Sequence, residues 1–296
     1  NRCDVARRQA IRVGVCNREE EYLYEFGYGF GKGEGQLALP VSLLLGDQDN
    51  VFISDEHNHR ITIFDKEGTY LYHWGEYGNE PGKFDSPSGI ALGKEDTLYV
   101  ADQKNNRIQK YTTQGEFIGQ WGEPGQNAGQ FNLPWGMEID RNGNVLVADW
   151  RNDRVQIFDP NGGYLTTLGV TGPDEQRLSR PSGIAVNSEG TIYVADWGNE
   201  RVQAFDSDGN YIFTLMGQAT LSNWAMDFFS SNPDEMETRE IADLISELPP
   251  HFSSPYHRSS QTEPYFWGPV SVRTDKHDRL YVVESNRHRI QIYEPN

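Results

Sequence analysis

Few residues in this chain are arranged for covalent or proton-transfer chemistry. The sequence has no Gly-x-Ser-x-Gly segment and pairs neither of its two Cys with a His. Seven His are present, but a zinc centre needs three or four N, S or O ligands converging on one point. His57, His59 and His288 share a face, His251 and His257 fall in an irregular segment, and His73 and His277 lie elsewhere. No metal and no cofactor is therefore expected. What the sequence offers is binding chemistry. Trp135, Trp150, Arg151 and Trp197, with Glu56, His57, His59, Arg287 and His288, combine aromatic surface with polar handles suited to a ligand or partner. Glu138 and Arg273 form a second set, able to hold a polar ligand, an ion or a water chain, or to pair with each other.

The elements that must position these residues are set by a repeat. Segments opening at Leu39, Ser86, Leu133 and Arg180 share one template, and their markers Arg60, Arg107, Arg154 and Arg201 recur every 47 residues. Each unit reads as four short strands, at 183–186, 192–196, 201–205 and 211–215 in the clearest case. Gly in the connections between the last two strands supplies the positive φ of a tight hairpin. A fifth unit from Pro269 carries the first three strands, with Arg289 as marker; residues 11–27 align as a third-to-fourth-strand hairpin, with Arg12 as marker. Residues 3–6 lie on the second strand, which sets Cys3 opposite Cys16; a disulfide and a free pair both stay open there. Four antiparallel strands at this period predict an all-β fold, a β-propeller of four-stranded antiparallel blades forming one domain over 1–296. Six Arg markers count six blades; five blades, with 1–16 as an extra piece, are the alternative.

The template resembles the NHL repeat family. The resemblance rests on the Pro-x-Gly-apolar-Ala start, the Val-Ala-Asp end of the second strand, and an Asn-x-Arg-Ile/Val-Gln motif at 105–109, 152–156 and 199–203. The first unit departs from it at His59 and Thr62, and the last reads Arg287-His288-Arg289. The resemblance covers most of the chain apart from 218–265 and implies a propeller. It leaves function open, since NHL propellers include RNA-binding modules, protein-interaction modules, sensor ectodomains and a zinc-dependent lyase. That lyase takes its zinc from His lining the central cavity, and the inner-strand positions here carry none. Calcium-dependent six-bladed hydrolases place Glu, Asn and Asp around the channel, and only Glu138 matches by position.

Residues common to all units read as scaffold. The marker Arg is expected to pair with the acid ending the second strand: Asp55, Asp102, Asp149, Asp196 or Glu284. Departures between units are the candidates for function. At the fourth place after Pro the units read Leu44, Ala91, Glu138, Ala185 and Arg273, so Glu138 and Arg273 are the charges on the channel-lining strands. Directly after Pro they read Val41, Ser88, Trp135, Ser182 and Val270, which sets Trp135 at the channel mouth. The remaining candidates sit in the loops between second and third strands, on the face called the top.

Residues 218–265 interrupt the pattern between the last two units. Asn232 as cap, Pro233 at the first helical place and Asp234 and Glu235 in the first turn predict a helix. Ile241, Leu244, Ile245 and Leu248 would form its apolar stripe and Pro249-Pro250 its end. Such a stripe packs on the propeller, lids the channel or meets another chain.

The charge balance excludes two classes of partner. With 44 Asp and Glu against 26 Lys and Arg, the net charge is −18, which opposes nucleic acid and anionic lipid alike. The longest nearly apolar run, 37–45, is too short to insert across a membrane. Mapped on the repeat, the negative charge falls mostly on the turns opposite the top and on the insertion, leaving the top loops near neutral. The expectation is a non-enzymatic binding or scaffold propeller whose top face recognises a protein, peptide or small polar ligand, or meets a neighbour in a larger assembly. The alternative is a metal-assisted lyase or lactonase at the central channel. A start at Asn1 rather than Met reads as a processed, trimmed or partial chain, with an extracytoplasmic or secreted location as the expectation.

Overall fold

The Val-, Ile- and Tyr-rich runs become strands, and the Gly-bearing connections become the turns between them. The computed structural model describes the backbone of all residues except 1–2, 8–10, 18–20, 47–48, 219–220, 222, 243–247, 250, 252–253 and 296; the side chains of 3–7, 223 and 224 also lie outside the description. Six antiparallel sheets follow one another along the chain. The first holds β1 (Cys3–Arg7), β2 (Arg12–Cys16) and β3 (Tyr22–Phe26). The second holds β4 (Pro40–Leu45), β5 (Val51–Asp55), β6 (Arg60–Phe64) and β7 (Tyr70–Trp74). The third holds β8 (Pro87–Leu92), β9 (Thr97–Asp102), β10 (Arg107–Thr112) and β11 (Phe117–Trp121). The fourth holds β12 (Pro134–Ile139), β13 (Val145–Asp149), β14 (Arg154–Phe158) and β15 (Tyr164–Leu168). The fifth holds β16 (Pro181–Val186), β17 (Ile192–Asp196), β18 (Arg201–Phe205) and β19 (Tyr211–Leu215). The sixth holds β20 (Pro269–Thr274), β21 (Leu280–Glu284) and β22 (Arg289–Tyr293).

Neighbouring sheets meet along their first strands, β4 with β8, β8 with β12, β12 with β16 and β16 with β20, which is the inner ring of a β-propeller. β1 meets β4 as β5 meets β8, so β1–β3 are the second, third and fourth strands of their blade. The Pro-x-Gly start answers to this crowding. A Cβ on Gly89 would sit 2.3 Å from the Trp135 carbonyl oxygen, and one on Gly136 2.2 Å from that of Ser182. Only a residue without a side chain lets the inner strands approach so closely. The core lies between sheets. Leu146 and Val155 of the fourth sheet pack with Ile184 and Val194 of the fifth, and the fully buried Phe131 and Phe158 fill the preceding junction. Each buried side chain of this size contributes about 1.5–3 kcal/mol. The β1–β2 register places Cys3 opposite Cys16, as the repeat predicts.

The insertion departs from expectation. Its described residues form three helices, α1 (Asn223–Ser231), α2 (Pro233–Ile241) and α3 (Pro255–Gln261), where one was predicted. Asn232 does occupy the N-cap position of α2, ahead of Pro233, but its amide donates to the Phe228 carbonyl of α1 instead of receiving a capping bond. α2 stops at Ile241, which is 81% exposed, and Ala242 leaves in extended conformation. An exposed Ile241 supplies no packing to propagate a marginal helix at that point. The predicted positions Leu244 and Ile245 lie outside the described residues. No described helix is long and apolar enough to cross a membrane.

Candidate functional site

The top loops hang on a repeated polar knot. The buried carboxylates Asp102, Asp149 and Asp196 each accept the Nε–H of the marker Arg, at 2.7, 2.8 and 2.7 Å. Each also accepts a backbone N–H, from Asp85, Asn132 and Ser179, and the amide of Asn105, Asn152 and Asn199. Burial pushes the three carboxyls up while these bonds pull them down. Glu284 repeats the arrangement with Arg289 and the Trp267 N–H. The second sheet departs from the predicted pairing. Arg60 directs its terminal nitrogens to the carbonyls of Lys32, Gly33 and Gln36, and its Nε has no partner. Asp55 is occupied instead by the N–H groups of Ala38 and Leu39 and by Asn58.

A second repeated device was not expected. The residue just before the marker Arg is left-handed in the loops of the second to sixth sheets: His59, Asn106, Asp153, Glu200 and His288 have φ of 53–56°. In four of them the side chain reaches across to the next sheet and accepts the N–H of the residue that precedes its Pro. The acceptors are His59 for Ser86, Asn106 for Leu133, Asp153 for Arg180 and Glu200 for Gly268. His59 is thereby engaged through Nδ1, and its ring stands 4.9 Å from that of Tyr77. Burial lowers its pKa. Glu200 is 3% exposed, and burial, opposed by the Gly268 N–H and reinforced by Glu284, pushes its carboxyl up to about 7. His288 is exposed.

The predicted tryptophans are brought together. Trp150 and Trp197 each open a single 3-10 turn, at Trp150–Asn152 and Trp197–Asn199. The ring centroids of Trp135 and Trp150 lie 6.5 Å apart with planes inclined by 40°, and those of Trp150 and Trp197 6.3 Å apart at 45°. All three indoles are half-buried, and none of their N–H groups donates to a described residue. Arg151 lies over Trp150 at 5.5 Å. Arg180, which sequence comparison missed, lies over Trp150 at 5.5 Å and over Trp197 at 5.9 Å. It occupies the place just before Pro, where the other units carry Leu39, Ser86, Leu133 and Gly268. Comparing the residue before Pro, as well as the one after, reveals it. Both guanidiniums are exposed, and neither forms an ion pair with a described residue.

The other candidates are distributed around this ladder. Glu56, His57 and His59 stand on the loop of the second sheet, two sheets away along the chain, and His57 is exposed. Arg287 fastens the insertion: its Nη2 donates to the Ser259 and Thr262 carbonyls at 2.6 and 2.9 Å, satisfying the end of α3, and it lies over Trp267 at 5.7 Å. Tyr256 of α3 stacks on the same indole at 5.8 Å, and α3 packs against the Trp197–Asn199 turn. Arg239 of α2 grips Glu263 with both terminal nitrogens, at 3.0 and 2.7 Å. On the inner strands, Arg273 and Glu138 do meet, at 3.4 Å, across the intervening β16, and Arg273 also donates to the Ile184 carbonyl. Among the described residues no three His, Cys, Asp or Glu side chains converge as a metal site.

The repeat, the inner ring and the Asn-x-Arg knot agree with the family comparison: the NHL repeat model matches residues 131–158, 178–205 and 266–293. The chain carries NHL repeats. Residues 37–133 of this NHL-repeat propeller match a further family described as a 6-bladed beta-propeller. No curated protein sequence matches significantly. Among solved structures, a streptogramin B lyase is similar at TM-score 0.59 and 12% identity, over 98% of this chain and 78% of that one. A catalytically inactive virginiamycin B lyase from Staphylococcus aureus, solved with quinupristin, gives 0.58 and 13%, over 97% and 78%. A protein of unknown function from Bacteroides caccae gives 0.61 and 13%, over 96% and 82%. At such identities the likeness is one of fold.

Proposed function

We propose that this NHL-repeat propeller is a binding module that takes a protein, peptide or small polar ligand on its top face, at the Trp135–Trp150–Trp197 ladder. The observation that carries the reading is the contrast in use. The common Arg, Asp and Asn residues are consumed by the knots that hold the loops, whereas the three half-buried indoles and the exposed guanidiniums of Arg151 and Arg180 donate no side-chain hydrogen bond to a described residue. Stacked aromatics beside exposed arginines are the surface chemistry of binding sites. Tryptophan emission provides the test. Peptides and small polar compounds that quench it in the wild type are expected to lose most of their affinity in Trp150→Gln, which installs the residue that Gln103 provides at the same place. Ligands held with unchanged affinity by Trp150→Gln and Trp197→Gln would overturn the proposal.

A metal-assisted lyase or lactonase at the channel is the second reading, favoured by Glu138 on an inner strand. The Arg273 guanidinium 3.4 Å away competes with any cation for that carboxylate. Stoichiometric zinc or calcium in the purified protein, lost in Glu138→Gln, would move the assignment to the channel.

A further inference from the structure

We propose that the ligand of the tryptophan ladder is an extended peptide segment bearing a carboxylate, seated with alternate side chains on the ladder and its carboxylate on Arg180 and Arg151. The inference rests on the top-face reading above and specifies its ligand. Two independent observations carry it.

The first is spacing. The ladder steps are 6.5 and 6.3 Å. Side chains on one face of an extended chain repeat every second residue, about 6.6–6.8 Å. A peptide laid along Trp135, Trp150 and Trp197 would present one ladder-facing side chain to each indole, and the indole N–H groups, unengaged by described residues, are available to it. α3, whose Tyr256 is 48% exposed, packs against the Trp197 turn at the end of the ladder.

The second is charge. In a chain of net charge −18, two exposed arginines with no ion pair to a described residue form a local reversal. A guanidinium resting on an indole keeps its N–H edge free for a carboxylate, and the stacking holds it in place before the ligand arrives. Arg180 is held further by its backbone: its N–H is bound by Asp153, at 2.8 Å, which is the acid these contacts bring to the site. The surrounding negative field admits one carboxylate at this point and disfavours a polyanion.

The probe is the blocked pentapeptide Leu-Gly-Glu-Gly-Leu, titrated against the full chain by tryptophan fluorescence. Its controls are Leu-Gly-Gln-Gly-Leu and glutarate. The acidic peptide is expected to bind about tenfold or more tightly than the glutamine peptide, and to weaken as salt rises. Arg180→Leu, which installs the residue of Leu39 and Leu133, should remove most of the acidic peptide's advantage over the glutamine peptide, and Arg151→Leu with it the remainder. Equal binding of the two peptides, still lost in Trp150→Gln, would overturn the carboxylate and leave the top-face reading standing. Glutarate binding as tightly as the acidic peptide would overturn the extended peptide. Absence of binding by both peptides would overturn the inference, and binding indifferent to Arg180→Leu and Trp150→Gln would remove both readings.

Discussion

His59, Asn106, Asp153 and Glu200 are four different acceptors for one kind of backbone N–H. Glu200 is the one whose charge is at odds with its burial. Its folded pKa of about 7 exceeds that of an unfolded glutamate, so the folded state holds the proton more tightly. Stability from this group is greatest below pH 4.5 and falls as pH rises through 7. Glu200→Gln keeps the acceptor and should flatten the fall in melting temperature between pH 5 and pH 8 by about 2–4 °C, equivalent to about 1 kcal/mol in a chain of this size. Asp149 is the opposite case, a buried carboxylate holding Arg154, Asn152 and the Asn132 N–H. Asp149→Ala leaves a buried guanidinium unpaired and should cost about 3–5 kcal/mol in urea unfolding. At this scale the sequence showed which residues differ between units, and Trp135, Trp150 and Trp197 were found that way. It did not show what each reaches: Arg287 binds carbonyls of a helix 25 and 28 residues back in the chain, and the role of His59 depends on a left-handed backbone.

In the fifth sheet β17, β18 and β19 were legible to the residue, because apolar runs between Gly turns leave little freedom, while β16 starts two residues before the expected 183, at Pro181. Of the helices, the start of α2 at Pro233 was legible, and α1 and α3 were not. α3 is 7 residues long, too short to be stable alone, and is held by Arg287 and by Tyr256 stacking on Trp267. Its local signal was nonetheless present: Ser254 precedes Pro255 and accepts the His257 N–H. Arg287→Asn, which restores the residue the other loops carry, should leave the sheets intact and loosen α3. Limited proteolysis is expected to cut within 232–262 several times faster than in the wild type, with the melting temperature of the body little changed. Gly136→Ala tests the inner ring. Its Cβ meets backbone rather than a movable side chain, so a loss of at least about 2 kcal/mol in urea unfolding is expected.

Across the whole molecule, the six Arg markers gave the number of sheets and the 47-residue period gave their order. Among the described residues the first and sixth sheets hold three strands each. The sheets are joined by cores that repeat from one junction to the next, with one loop-to-backbone clamp at each of four junctions. Asn106→Ala and Asp153→Ala act at different junctions; each should lose about 1–2 kcal/mol in urea unfolding, and the double variant should lose their sum within about 0.5 kcal/mol.

The clamp has a consequence for how such a surface can be remade. Because it reads only a main-chain N–H, it is indifferent to which acceptor is offered and to what the rest of the loop carries. Each loop is thus a cartridge with a common fitting. The six residues from Asp149 to Arg154 could be exchanged for those from Asp102 to Arg107 without retooling either socket. The top loops can thus change one by one while the ring beneath keeps its form.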